Sequence, residues 1–340
     1  MPLRFAFAGF RHGHIFGLLE AVKADQQFQI VAACEEDAAT RSELTAGGKV
    51  KITHDSFERM LAEAACDVVA IGDYYSKRGP LAIKALQAGR HVITDKPLCT
   101  SLAQLDQIEK LATEKRLSVG CQFDMRSSGL VRAVRAAIAD GQIGQVQTVA
   151  FSGQHPLLFG ARPNWYFQEE DGVSCHGGTI NDIFIHAADI IPWMTGRRWA
   201  DVLFARNWST STCPAKGFPD AAQLVIRLDN GGGAIGDVSY LAPDKCGYKV
   251  PCYWRLTIHG NGGMIEMEST TGKAIIATQQ DAQPRCLEPL SAEPNAYLKD
   301  FVAEIGGRTS ASASHLRTAD VIGASRIALA AQAAAGARPD

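Results

Sequence analysis

The sequence predicts an α/β protein in two parts, a doubly wound parallel sheet followed by a region of mainly antiparallel strands. Three observations lead there. Short β-branched apolar runs alternate with helical patterns through the first 125 residues, the mark of βαβ units. From about residue 143 the apolar period changes to two, and glycine turns separate the later runs.

Leu3 to Ala8 reads as the first strand, Ile15 to Ala24 as a helix with Leu18, Leu19 and Val22 on one face, and Ile30 to Cys34 as the second strand. Asp67 to Ile71 is a continuous apolar run, as in a strand covered on both faces. Pro80 to Ala88 then reads as a helix stopped by Gly89, His91 to Thr94 as a strand, and Leu102 to Lys115 as a helix with Thr100 or Ser101 placed to cap it. Val146 to Phe151, Ala222 to Leu228 and Ala234 to Leu241 alternate as antiparallel strands do. The glycine clusters at 230–233 and 260–263 lie between strand-like runs, so they read as turns rather than phosphate loops. Leu316 to Ala335 is alanine-rich and helical. The domains are expected at 1–124 and 125–340.

A chain of 340 residues is long enough for two cores. Apolar residues make up 46% and charged residues 21%, and no run approaches the roughly 18 apolar residues of a membrane span. A net charge of −2 and a pI near 6.5, without a basic block, give no footprint for nucleic acid or an anionic lipid surface. A small molecule is the expected partner. Nine cysteines, odd in number and without a Cys-x-x-Cys pair, suit reduced thiols in the cytoplasm better than a disulfide framework.

Directly after the first strand comes Gly9-Phe10-Arg11-His12-Gly13-His14, leading into the helix at Ile15. The position is that of a dinucleotide loop, in which the first glycine allows a tight turn, the second a close approach of pyrophosphate, and the third helix–strand packing. Only Gly9 is in its expected place; Arg11 and His14 occupy the other two. Glu35 closes the second strand, where an acid accepts hydrogen bonds from the adenosine ribose. A carboxylate there repels a 2′-phosphate and so favours NAD over NADP, with Arg11 and Arg41 near enough in sequence to soften the preference.

Two further segments carry chemistry. Asp95-Lys96-Pro97 follows the strand His91 to Thr94, at the carboxyl end of the sheet where doubly wound folds bind ligands. In GGTINDIFIHAADIIPWMTG, Asp182, His186 and Asp189 recur at helical spacing and share a face. A carboxylate one turn from an imidazole can orient it and support its protonated form, which makes an acid–base pair; a satisfied polar cluster is the equal alternative. Zinc at these residues, or at Cys175-His176, lacks third and fourth ligands at a recognised spacing, so no metal is expected.

Together these residues resemble the glucose-fructose oxidoreductase / inositol dehydrogenase / MocA family over essentially the whole chain. The resemblance runs through the glycine loop, ALQAGRHVITDKPLCTSLAQL, Arg126, GQIGQVQTV and the Asp-x-x-x-His-x-x-Asp segment. It implies a Rossmann domain followed by an α/β domain with a large, mostly antiparallel open sheet that supports homodimers or homotetramers. It also implies an NAD-dependent dehydrogenase acting on a sugar- or polyol-like hydroxyl, with a commonly cis lysine–proline bond. Lys96 would meet nicotinamide and substrate, Asp182 substrate or histidine, and His186 the hydroxyl proton. Cofactor contacts would come from the loop residues 9–14 with Ile15, Glu35, Asp73, Lys96, Pro97 and Gln122, and substrate contacts from Arg126, Trp165, Asp182 and His186.

The chain departs from the family pattern on the cofactor side. Two glycines of the loop are replaced, Asp-Lys-Pro stands for Glu-Lys-Pro, Asp73-Tyr74-Tyr75 for Thr-Pro-Asn, and Arg78 for a histidine. Phe184 replaces a common glycine, which is expected to narrow the substrate pocket. Besides a dehydrogenase, two readings stay open: an NAD-retaining glycosidase or lyase using transient oxidation, and a non-catalytic binding relative.

Overall fold

The computed structural model describes residues 2–251 and 253–336. Residues 337–340, at the end of the expected second domain, lie outside the described residues, as does Met1 of the first.

The chain opens with β1 (Leu3–Ala8), α1 (Ile15–Ala24), β2 (Phe28–Cys34), α2 (Ala38–Ala46), α3 (Phe57–Glu63), β3 (Val68–Ile71), α4 (Tyr75–Gln87), β4 (His91–Thr94), α5 (Leu102–Lys115) and β5 (Val119–Cys121). All five strands pair in parallel in the order β2-β1-β3-β4-β5. The order reverses between β1 and β3, the switch point where such sheets bind ligands outside their carboxyl ends. Every residue of β3 is buried, as a strand covered on both faces requires. Asp37, Ser56 and Ser101 cap α2, α3 and α5 by accepting from backbone N–H groups three residues on.

One helix starts earlier than its sequence suggests. The proline at 80 reads as a first-turn residue, yet α4 begins at Tyr75 and carries Pro80 inside. Its missing N–H removes one hydrogen bond, and the buried face formed by Tyr75, Arg78, Leu81, Ala82 and Ala85 keeps the helix continuous.

The second sheet has eight strands. After α6 (Gly129–Ala139) come β6 (Val146–Pro156), β7 (Glu169–Glu170), β8 (Val173–Ser174), α7 (Ile185–Thr195), β9 (Trp199–Trp208), β10 (Ala221–Leu228), β11 (Gly233–Ala242), β12 (Trp254–Gly260), β13 (Gly263–Glu268), β14 (Lys273–Thr278), β15 (Arg285–Leu287), α8 (Ala296–Ile305) and α9 (Thr318–Gly336). The order is β15-β14-β13-β12-β6-β11-β10-β9, antiparallel except for β6 with β11, while β7 and β8 form a separate small hairpin. The glycine clusters at 230–233 and 260–263 are the turns between β10 and β11 and between β12 and β13.

Two compact units result. The first comprises the chain up to Gln122 with Gln168–Gly177 and Asn295–Ile322; the second comprises Phe123–Phe167, Gly178–Pro294 and the chain from Gly323. The return of two later segments to the first unit has no counterpart in the change of sequence period.

Candidate functional site

In the first unit the loop after β1 is built on close backbone approaches. Gly9 has φ +74°, and a Cβ there would lie 2.5 Å from that of Asp73, so no other residue fits. The helix–strand contact that the missing third glycine would permit is supplied from the other side. A Cβ on Gly72, just beyond β3, would stand 2.3 Å from the Cβ of Ile15 at the start of α1. Gly13 has open space around its Cβ position. Among the described residues no side chain caps α1, and its first turn holds no acid, which leaves its positive end suited to an anion.

The charges around this loop are paired. Glu35 is fully buried; its Oε2 accepts from the Phe10 amide at 2.7 Å and its Oε1 from the Asp37 amide at 2.9 Å. Burial holds its carboxyl above the usual range against those bonds. Arg11 Nε lies 2.8 Å from Asp73 and 3.9 Å from Glu35, with the guanidinium 4.4 Å over the Tyr74 ring.

Lys96 sits on a comparable base. Asp95 is wholly buried, 3.1 Å from Arg78 Nη2 and 3.1 Å from His14 Nδ1, with His12 Nδ1 on the same oxygen as Arg78. Burial opposes its ionisation, but the charges of His12, Arg78 and His14 outweigh burial and hold the carboxyl well below the usual range. Arg78, also fully buried, donates from Nε to the Asp73 carbonyl at 2.7 Å and from Nη1 to the carbonyls of Lys96 and Pro97, so one side chain stitches the two loops together. The Lys96–Pro97 bond is cis. Lys96 Nζ stands 6.0 Å from the centre of the Tyr75 ring, which also packs on Arg78, His12 and His176. Burial lowers His12 to about 4.

Ligand atoms of His12, His14 and Asp95 lie within 4.8 Å of one another, a grouping different from the zinc sets considered at 175–176 and 182–189. Both imidazoles meet the carboxylate directly, and Arg78 donates to the oxygen that His12 meets. Gln122, beyond β5, donates to the Tyr297 hydroxyl at 3.1 Å and has its buried Oε1 without a partner among the described residues. A ligand N–H or O–H would satisfy it.

In the second unit a π-helical turn at Ile180–Phe184 runs into α7, a local widening that often marks a functional site. Asp182 is buried, and its Oδ2 accepts from the hydroxyls of Tyr166, at 2.8 Å, and Tyr240. Burial and the Asp182 charge push the Tyr166 phenol well up, so it stays a donor. The His186 ring is 5.7 Å from that of Trp254. Asp189 belongs elsewhere: buried, it takes Arg126 Nη2 at 2.6 Å and Nε at 3.0 Å, so the guanidinium expected to meet substrate is held in an internal ion pair. Phe184 does not narrow a pocket. It is fully buried, stacked on Phe151 at 5.5 Å and edge-on to Trp199, because its side of the turn faces the large sheet. Trp165 is 9% exposed and packs 5.2 Å from Tyr166, and Trp193 lies under Arg135 and Arg126.

Lys96 thus belongs to the first unit and Asp182 and His186 to the second. Sequence reasoning named Asp95, Tyr75 and Tyr166 without linking them to their partners Arg78, His12 and Asp182, and missed Tyr240. The departures from the family pattern at 75, 78 and 95 were the available signal, since each falls in one network.

Residues 3–123 match the model of an oxidoreductase family with an NAD-binding Rossmann fold, and residues 131–266 match the Gfo/Idh/MocA C-terminal domain. The chain belongs to the Gfo/Idh/MocA family. It is similar to inositol 2-dehydrogenase of Rhizobium meliloti, 24% identical over 84% of this chain and 81% of that one. It is also similar to 1,5-anhydro-D-fructose reductase of Ensifer adhaerens, 26% identical over 52% and 51%. The chain spans about half the length of the first curated relatives it matches. A putative oxidoreductase from Erwinia carotovora atroseptica superposes with a TM-score of 0.84 at 25% identity, covering 98% of both chains. An oxidoreductase from Agrobacterium radiobacter, crystallised with NAD+, L-tartaric acid and magnesium, gives 0.77 at 18% identity over 99% and 97%.

The first unit of this Gfo/Idh/MocA chain is accordingly an NAD-binding Rossmann domain, and its residues fit the dinucleotide. The uncapped α1 and open Gly13 suit the diphosphate, Glu35 retains acceptor capacity on both oxygens, and the orphaned Gln122 Oε1 awaits a donor.

Proposed function

We propose that the chain is an NAD-dependent dehydrogenase moving a hydride between nicotinamide and a hydroxyl of a sugar, polyol or related small molecule. The observation that carries this reading is the buried Asp95–Arg78 pair beneath Lys96, which fixes the lysine motif at the carboxyl end of the parallel sheet. A decayed, non-catalytic relative has no need of such a network.

NAD, when bound, supplies the hydride acceptor. The chain's own residues handle the proton and the charge. His186 takes the hydroxyl proton on a ring nitrogen, while Lys96 Nζ stabilises the negative charge developing on that oxygen. Asp182, held in place by two phenolic donors, orients the reacting hydroxyl and supports the imidazolium.

NAD is preferred to NADP on the strength of Glu35. Arg11 is turned to Asp73, and Arg41 Nη1 donates to the carbonyls of Glu35 and Glu36, so both arginines are engaged away from a 2′-phosphate. A homodimer or homotetramer accords with the outer face of the large sheet, where Ile235 is 63% and Leu203 57% exposed. None of the eight described cysteines is in a disulfide, which accords with the cytoplasm.

The test is incubation with NAD and a panel of sugars and polyols, followed by the near-ultraviolet absorbance of reduced nicotinamide. A net rise with one of them is expected. Turnover of substrate with NAD left unreduced would replace the dehydrogenase by a lyase or glycosidase.

A further inference from the structure

The second unit holds an arginine that feels the charge of Asp182 but makes no direct ion pair with it. Arg162 is half-buried, and among the described residues no carboxylate lies within ion-pair distance of it. Its Nε donates to the Leu157 carbonyl at 2.8 Å, and its Nη2 donates to the Pro156 carbonyl and the Tyr248 hydroxyl, each at 3.1 Å. The Nη1 hydrogens are left over. The guanidinium rests on two ring faces, 4.4 Å from the centre of Tyr166 and 5.6 Å from that of Tyr240.

Those rings belong to the same tyrosines whose hydroxyls hold Asp182. One pair of phenols therefore carries the candidate catalytic carboxylate at its polar ends and, on its faces, a guanidinium attracted to that carboxylate without touching it. A guanidinium whose Nη1 donors are unused, beside a candidate reaction centre, is a site for a ligand's anion. Tyr248 accepts from Arg162, so its own O–H remains to donate alongside Nη1, and Tyr248 is 42% exposed. The buried ring of His155 lies 5.5 Å from Tyr248 and 6.2 Å from Tyr240, and through Trp254 this aromatic cluster links the Arg162 end of the unit to His186.

We infer that the substrate is a hydroxy acid of the sugar series, an aldonate or uronate, whose carboxylate is held by Arg162 Nη1 and the Tyr248 hydroxyl while its reacting hydroxyl meets Asp182 and His186. This rests on the dehydrogenase reading and names its substrate class. The planar guanidinium and a neighbouring hydroxyl match the two oxygens of a carboxylate.

The test is calorimetric binding of a panel of four- to six-carbon aldonates and uronates, each beside its neutral alditol or aldose, to the NAD-saturated protein and to Arg162→Gln and Arg162→Lys. At least one acid is expected to bind about 10-fold or more tighter than its neutral partner. That acid should lose on the order of 30-fold in Arg162→Gln, as removal of a charge-assisted hydrogen bond implies, and should recover part of it in Arg162→Lys. Neutral ligands should change less than about 3-fold. Circular dichroism of both variants checks the fold. Equal binding of acids and neutral partners, unchanged acid binding in a folded Arg162→Gln, no acid binding to the wild type, or tighter binding of a sugar phosphate than of every carboxylate would overturn the inference. Arginine-dependent acid binding without NAD reduction would leave it standing and remove the dehydrogenase reading; NAD reduction by a neutral polyol, unaffected in Arg162→Gln, would do the reverse.

Discussion

In the parallel-sheet unit Asp95 meets Arg78, Asp73 meets Arg11, and Glu35 meets two backbone amides, whereas in the antiparallel unit Arg162 lies over two tyrosine rings with no carboxylate in range among the described residues. The first arrangement is a closed account of charge, suited to a site that must hold its shape while a cofactor arrives. The second leaves charge to be completed by what binds. The departures from the family pattern at Arg11, His14, Asp73, Tyr75, Arg78 and Asp95 all fall in the first arrangement and form one chain of contacts, Arg11 to Asp73, Asp73 to Arg78, and Arg78 to Asp95 and Tyr75, with His14 on Asp95. Mutual contact of this kind is what a rebuilt cofactor loop requires, and it would be an improbable outcome of independent loss.

The comparison can be broken most severely at Lys96. Lys96→Ala is expected to lower kcat/KM by a factor on the order of 10³, since it removes charge stabilisation at the reacting oxygen, with the circular dichroism spectrum unchanged. Residual activity close to wild type would end its assignment.

A second break lies beneath it. Asp95→Ala leaves the guanidinium of Arg78 buried without its partner, and denaturant unfolding should register a loss of about 3–5 kcal/mol. A loss under about 1 kcal/mol would place the pair among ordinary surface salt bridges.

The pH profile sharpens the contrast further. Burial lowers His12 from 6.5 to about 4, so the unfolded chain takes up a proton that the folded chain refuses as the pH falls between those values. Stability should therefore rise with pH from about 4 to 6.5, by roughly 3 kcal/mol from this group. Glu35, held above its ordinary value, acts in the opposite sense above pH 4.5, so the readout is the difference between wild type and His12→Gln. The variant should have the flatter profile; parallel profiles would show that His12 titrates as an exposed histidine does.

Much of the fold was legible because its signals are local. The first strand, the helix from Ile15, the strand from His91 and the Ser101 cap of the helix from Leu102 follow from apolar period and capping chemistry alone. The helix start at Tyr75 was hidden by Pro80, whose position preference competes with tertiary packing. The return of 168–177 and 295–322 to the first unit was hidden because compactness is a long-range property. In the site, the importance of the segments around Lys96 and Asp182 was visible in motif and spacing. The partners were not, because Asp95 with His12 and Asp182 with Tyr240 are far apart in sequence and no periodic signal links them. Arg126 and Asp189 illustrate the converse: two charged residues that read as site members are each other's buried partner.

The central claim, that the altered loop from Gly9 to His14 is a working NAD site, is tested most directly by calorimetric titration of the purified protein with NAD and with NADP. Saturable binding of NAD with a Kd in the micromolar range, and at least about 10-fold weaker binding of NADP, is expected from the open α1 terminus and the Glu35 carboxylate. No heat of binding with either dinucleotide would contradict it, and tighter binding of NADP would overturn the role given to Glu35.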